Sequence, residues 1–349
     1  MSVTKPLIPA AQAILRSRML GSLYGGVVGD ALGGPYEFQG RGSYTPSPDM
    51  KESHTFIFKG KPLAAGSWTD DTSMMLCMAV SLKEKREFDW KDVANRFIRW
   101  HKEGYLSVVD KCFDIGNATR VALVYYMGLD RLKKVWPDTP SCNPSPAQAG
   151  NGSIMRLAPI PIFFHNAAPD TLYAEAATSS RITHSSDTCV DGCTLMSAYI
   201  VGFLRAPGEW GIQEKKEKIL SHSFALWEAD SVCPSPMPIE SEEFQEIHQE
   251  ESYKTKTVEQ LRTSGWVVHT LEAALWALWR ANTFEEGVLM LLPLGEDVDT
   301  VCAVYGQIAG ACFGYEAIPK RWLDALQRRD TVLDPIFEGL VDVSLSKSG

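Results

Sequence analysis

Apolar residues recur along this chain at three- and four-residue spacing, and alternating apolar and polar runs are hard to find, so the pattern predicts helices and few strands. The run Trp266 to Ala281, WVVHTLEAALWALWRA, is apolar almost all round. It predicts a central helix, with Ser264 as its N-cap. The same spacing predicts helices near Ile14 to Leu32, Thr72 to Lys85, Trp90 to His101, Ile115 to Tyr126, Thr171 to Arg181, Asp187 to Leu204, Phe284 to Leu291, Val298 to Phe313 and Lys320 to Gln327. So many helices without a strand series imply an all-α fold in a single multi-helix domain.

Two of these helices carry glycine every fourth residue, Gly21, Gly25, Gly29 and Gly33 in one and Gly306, Gly310 and Gly314 in the other. Glycine inside a helix costs roughly 1 kcal/mol against alanine, so two such stripes imply close helix packing. Neither continues into Lys-Ser or Lys-Thr, which removes a phosphate-binding P-loop. Two stretches break the helical pattern. Asp138 to Gly150 contains Pro140, Pro144 and Pro146 and reads as a loop. Residues 231–257 begin with prolines and continue through ESEEFQEIHQEES, which predicts a flexible, exposed insertion dispensable for the core.

The 349 residues are 45% hydrophobic and 22% charged, ample for a large core, and the net charge of -9 disfavours a diffuse hold on nucleic acid or anionic membrane. An anionic ligand needs a local device instead. The eight cysteines are scattered, mostly in helical runs, and read as small buried hydrophobes of a reducing compartment. No leader-like start and no long apolar span is visible, so the expected location is cytoplasmic or nuclear, and the protein is expected to act as a monomer.

The chemistry concentrates in two short acidic clusters, Thr69-Asp70-Asp71-Thr72 and Asp297-Val298-Asp299-Thr300, each opening a helix. Taken singly, each suits a helix start, where the dipole favours carboxylates. Taken together they supply hard oxygen donors with little sulfur or imidazole, which suits Mg²⁺, Mn²⁺ or Ca²⁺ over zinc. Carboxylates converging in one cleft would repel, and divalent ions would neutralise them. An EF-hand at Asp297 is excluded, since Cys302 and Ile308 stand where its glycine and glutamate are required.

GDALGGPYEF (from Gly29), GSWTDDTSMM (from Gly66), GNGSIMRLAPI (from Gly150), ITHSSD (from Ile182) and GEDVDTVCAVYGQIAGACFGY (from Gly295) resemble, in order, the motifs of the ADP-ribosylglycohydrolase superfamily. The resemblance runs from about residue 16 to 327 and implies a compact all-α fold with a two-Mg²⁺ centre in which Mn²⁺ is the substitute ion. Matched position by position, the implied metal ligands are Thr69, Asp70, Asp71, Asp297, Asp299 and Thr300. Glu37 falls where relatives carry an acidic residue on a mobile loop beside the metals. Gly150, Asn151, Gly152 and Ser153 match the segment that lies along diphosphate and ribose, while His184 and Asp114 match motifs lining the cleft. Glu296 departs from the paired glycines that many relatives place before the second acidic motif.

The implied reaction is hydrolysis at the anomeric carbon of the distal ribose, releasing ADP-ribose from an ADP-ribosylated protein or small conjugate. The proton-transfer role falls to Asp71, Asp299 or Glu37. Glu37 inclines this reading toward an oxygen-linked acceptor, serine or a 1″-phosphate. An arginine-linked acceptor is the alternative, and a binding or structural protein without catalysis is the third.

Overall fold

The computed structural model describes residues 10–140, 149–224, 226 and 237–347. Its first and thirteenth helices form the axis of the molecule. Helix α1 (Ala10–Gly33) is buried on all sides from Arg18 onward. It is followed by α2 (Asp70–Lys85), α3 (Trp90–Glu103), α4 (Asn117–Arg131), α5 (Pro159–Phe163), α6 (Pro169–Arg181), α7 (Asp187–Arg205) and α8 (Ile212–Ile219). The second half holds α9 (Glu242–Gln249), α10 (Ser252–Thr255), α11 (Val267–Arg280), α12 (Phe284–Leu291), α13 (Val298–Phe313), α14 (Lys320–Ala325) and α15 (Asp334–Ser346). Among the described residues the only sheet is a two-stranded antiparallel clip, β1 (Ile57–Phe58) paired with β2 (Lys61–Pro62).

The glycine stripes explain the axis. A Cβ on Gly25 would come closer than 3.0 Å to the backbone of Gly306, and Gly21 and Gly310 face each other in the same way. Helices α1 and α13 therefore touch backbone to backbone, nearer than side chains allow. Around this pair pack α7, α11 and α12, while α2 carries α3 and α15 on its outer faces. The position expected for Trp266 to Ala281 is thus taken by α13, buried from Val298 to Cys312. Helix α11 lies beside it, with Trp279 and Arg280 reaching partial exposure. Its N-cap is Trp266, not Ser264, whose hydroxyl pairs with His269 Nδ1 at 2.7 Å.

The insertion differs most from expectation. Residues 141–148 of the proline-rich loop and 231–236 of the insertion lie outside the described residues, as do Cys142 and Cys233. From Glu242 on, however, the segment is mostly helical and packed, with Phe244, Ile247 and Tyr253 fully buried. Three apolar side chains spaced among eight acidic or amide neighbours are enough to dock it, which composition alone hides. Asp191 on α7 anchors its start by accepting from the N–H groups of Glu240 (2.9 Å) and Ser241 (2.7 Å). Asp191→Ala is expected to cost about 2 kcal/mol, the price of a buried charged acceptor shared by two amides. Hydrogen exchange should then accelerate across 240–250, and unchanged protection there would show the anchor to be idle.

Among the described residues no helix is long and apolar enough to cross a membrane. The described cysteines, Cys77, Cys112, Cys189, Cys193, Cys302 and Cys312, are unbridged, and all but Cys112 are buried.

Candidate active site

Helix starts from opposite ends of the sequence meet at one cleft. Asp30, fully buried on α1, accepts from the N–H groups of Thr69 (3.0 Å) and Thr72 (3.1 Å) and from the Thr72 hydroxyl (2.6 Å). It caps α2 from a neighbouring helix and so fixes Asp70 and Asp71. Three residues further along α1, a Cβ on Gly33 would come closer than 3.0 Å to the Asp299 backbone, so the end of α1 abuts the first turn of α13. The two acidic clusters then face each other, with Thr300 Oγ1 3.5 Å from Asp71 Oδ1.

The cleft holds about 300 Å³ and is lined by six carboxylates, Glu37, Asp70, Asp71, Asp114, Asp297 and Asp299, together with Thr300. No lysine or arginine is among its described lining residues. Burial first, and mutual repulsion second, push Asp70, Asp71 and Asp299 well above the usual carboxylate range. Burial, with Asp114 and Asp297 adding to it, raises Glu37 to about 10. Asp71 Oδ2, Asp114 Oδ2 and Asp299 Oδ1 are buried without a hydrogen-bond partner. Such a cluster ionises together only when positive charge compensates it.

The opposite wall is backbone. Gly150 pairs with Trp266 in an isolated bridge, and Asn151 N–H donates to Gly265 O at 3.0 Å, fixing the loop to the start of α11. Asn151 uses its amide to hold a ligand-type residue, donating from Nδ2 to Asp297 Oδ2 (2.7 Å) and Thr270 Oγ1 (2.9 Å). His184 backs the loop so closely that a Cβ on Gly152 would lie 2.7 Å from its Cε1. Its Nδ1 meets the Thr183 hydroxyl at 2.7 Å, and burial, with Arg156 nearby, lowers it to about 3, so the ring is neutral. Gly116 to Thr119 complete the lining at the start of α4, which has no side-chain cap. The Gly116 N–H meets the Asp70 carboxylate, and the first turn that follows, with its dipole, suits an anion.

Of the residues singled out by sequence, Glu37, Asp70, Asp71, Asp114, Gly150, Asn151, Gly152, His184, Asp297, Asp299 and Thr300 line this cleft. Two do not. Thr69 is fully buried, its hydroxyl capping α2 toward Asp71 N–H at 3.4 Å. Ser153 is buried behind the wall beside Cys189 and Cys193. The loop of Glu37 is also tied down, since Phe38 N–H donates to Glu296 O (2.6 Å) and Glu296 N–H to Gln39 O (2.8 Å). Glu296 adopts φ 57°, the left-handed region that glycine favours, and turns its side chain to solvent. Sequence reasoning passed over Asp30 and Asn117 to Thr119. The first sits inside an apolar run, where an unpaired Asp is itself a signal.

An all-α scaffold around an acidic, glycine-walled cleft defines a helical protein whose carboxylates are grouped as cation ligands could be. Residues 11–347 match the family described as ADP-ribosylglycohydrolase, and the chain belongs to that family. It is accordingly a hydrolase of ADP-ribosyl conjugates. It is 38% identical over 315 residues to "ADP-ribosylarginine hydrolase Tri1" of Pseudomonas putida (strain GB-1), covering 90% of this chain and 74% of that protein. The Serratia proteamaculans (strain 568) protein of the same name is 33% identical, over 93% of this chain and 79% of its own. A solved "ADP-ribosylglycohydrolase-related protein complex" superposes with a TM-score of 0.71 at 34% identity, covering 95% of this chain and 99% of that one.

Proposed function

We propose that this chain hydrolyses the bond between ADP-ribose and an arginine side chain. The observation that carries the acceptor is the similarity to two proteins named as ADP-ribosylarginine hydrolases, along nine-tenths of this chain. It displaces the oxygen-linked preference drawn from Glu37, because one glutamate at the rim does not distinguish acceptors.

The orphaned carboxylate oxygens and all-oxygen donor set fit divalent cations. Thr69, Asp70, Asp71, Asp297, Asp299 and Thr300 would hold two of them, Mg²⁺ or Mn²⁺, once Thr69 frees its hydroxyl. Bound there, the ions would supply Lewis-acid stabilisation and lower the pKa of a bound water. The chain's own groups do the rest. The amides of Gly150 and Gly152 and the start of α4 receive the diphosphate, and Asn151 keeps Asp297 oriented. Glu37 lies outside the ligand set, so its carboxylate takes the proton of the attacking water as the guanidine departs from the anomeric carbon.

The test is incubation of purified protein with arginine-linked, serine-linked and 1″-phosphorylated ADP-ribose, with Mg²⁺ or with EDTA. Release from arginine that EDTA abolishes is the expected result. Faster release from serine or phosphate would overturn the acceptor assignment, and release indifferent to EDTA would overturn the metal.

A pH dependence follows from the same cluster. These carboxylates have folded pKa values above their unfolded values of about 4, so the fold favours their protonated forms. Their stabilising contribution is complete below about pH 4 and is lost as pH rises through the folded values, about 6 for Asp30 and about 10 for Glu37. Chelated protein should therefore lose melting temperature between pH 6 and 9 by an amount that Mg²⁺ restores, most at the alkaline end. Equal Mg²⁺ effects at both ends of that range would contradict it.

A further inference from the structure

The loop between α1 and α2 puts one buried side chain behind the cleft that the proposed reaction leaves unused. His54 is 3% exposed. Its main-chain N–H donates to Leu63 O at 3.0 Å, and Leu63 N–H donates to Phe56 O at 3.1 Å, so it stands at the base of the β1–β2 clip. Phe56 packs on Phe113 with ring centroids 4.6 Å apart, and the His54 ring meets Phe113 edge-on at 6.3 Å. From the other side, a Cβ on Gly34 would lie 2.5 Å from His54 Nε2. The imidazole is clamped between the clip and the turn that leads to Glu37.

Its two nitrogens have unlike surroundings. Nδ1 accepts from the Phe56 N–H at 3.0 Å. Burial lowers the ring's pKa to about 4, so it is neutral, and a neutral imidazole accepting at Nδ1 carries its proton on Nε2. That Nε2 is buried without a hydrogen-bond partner, and a nitrogen of the ring lies within 4.8 Å of a carboxylate oxygen of Glu37 and of Asp114. A protonated Nε2 has no lone pair for a cation. What it presents to the two acids is a donor, across a gap that one water or a small rotation of Glu37 closes.

Glu37 also lies within 4.8 Å of Asp297 and Asp299 oxygens, so it stands between two groups of acids that repel it from either side. We propose that His54 is the positioning residue of Glu37, its fixed Nε2–H holding the glutamate carboxylate between Asp114 and the Asp297–Asp299 pair. This rests on the reading of Glu37 as the group that takes the water's proton.

Two measurements test it. The first needs no activity. In protein with ¹⁵N-labelled histidine, His54 should show an exchange-protected Nε2–H resonance that vanishes in His54→Phe and shifts in Glu37→Gln. An Nδ1–H tautomer, or a resonance indifferent to Glu37→Gln, would overturn the assignment. The second is turnover. His54→Phe should lower kcat roughly 10- to 100-fold, as loss of an orienting partner does, with KM changed by less than about threefold. His54→Gln, which restores a donor but not the ring, should recover most of the loss. The double variant with Glu37→Gln should be no slower than Glu37→Gln alone. If His54 only packs against Phe113, Phe will outperform Gln, and that order sinks the proposal. Should the wild type prefer another ADP-ribosyl acceptor, the arginine reading fails, while the order of the His54 variants is measured on the preferred conjugate.

Discussion

Asp299→Asn is expected to lower kcat/KM by roughly a thousandfold or more, about 4 kcal/mol of transition-state stabilisation, while helical content is unchanged. Asp299 sits in the first turn of α13, 2% exposed, with Oδ1 lacking any hydrogen-bond partner and its backbone pinned by Gly33. Asparagine keeps nearly the same volume and the same turn, so packing is preserved. What disappears is one negative charge from the cleft, and with it a proposed cation ligand. The sign of the accompanying stability change separates this from simple damage. In EDTA the variant should melt at or above the wild type, because a carboxylate that burial and its neighbours disfavour has been neutralised. With Mg²⁺ it should gain less than the wild type does. Glu37→Gln should behave differently, losing turnover while keeping the full Mg²⁺-induced shift. Near-wild-type turnover of Asp299→Asn at low Mg²⁺ would remove the residue from the essential set and reopen a binding-only role for the cleft.

The elements with a strong period were legible before any coordinates. Phe284–Leu291 and Val298–Phe313 fall where their apolar spacing puts them, and the other expected helices differ by a few residues at their ends, while the 13-residue Asp334–Ser346 was not expected. Those ends are set by caps, and several caps here are supplied from elsewhere in the chain, as Asp30 does for α2, which local sequence cannot show. Short helices were missed for a related reason. Pro159–Phe163 carries prolines at its first and third positions and holds only five residues, too few for a period to register. Glu242–Gln249 looked like a solvated run because two buried side chains, Phe244 and Ile247, decide its fate against six polar ones. In the site, each acidic cluster alone also suits a helix start, and it was the pair of them that motivated the expectation of one cleft, which Asp70, Asp71, Asp297 and Asp299 line. Residue type did not foretell which side of the wall a residue faces. Ser153 follows Gly152 directly, yet a single-turn 3-10 element, Asn151–Ser153, turns it inward. Nor did the motif reveal that Asn151 serves Asp297, a pairing across 146 residues.

Gly306→Ala is expected to be among the most damaging single-methyl changes in the chain, costing about 3 kcal/mol and lowering the melting temperature by roughly 5–10 °C. A Cβ there would press on the carbonyl of Gly25 closer than 3.0 Å. The obstacle is the backbone of a helix buried along most of its length, so neither partner has a flexible end to swing aside. Relief requires α1 and α13 to separate, and both position the cleft, Asp30 near the end of one through its bonds to the start of α2 and Asp299 at the start of the other by lining it. Activity should therefore fall further than the unfolded fraction accounts for, and Mg²⁺ should rescue less of the melting temperature than in the wild type. The control is Gly128→Ala on α4, where a Cβ meets nothing within 4 Å. There the usual helix preference for alanine should stabilise by about 0.5–1 kcal/mol with turnover unchanged. If the two alanines behaved alike, the backbone contact between α1 and α13 would not be what positions the acidic clusters, and the four-residue glycine spacing would need another explanation.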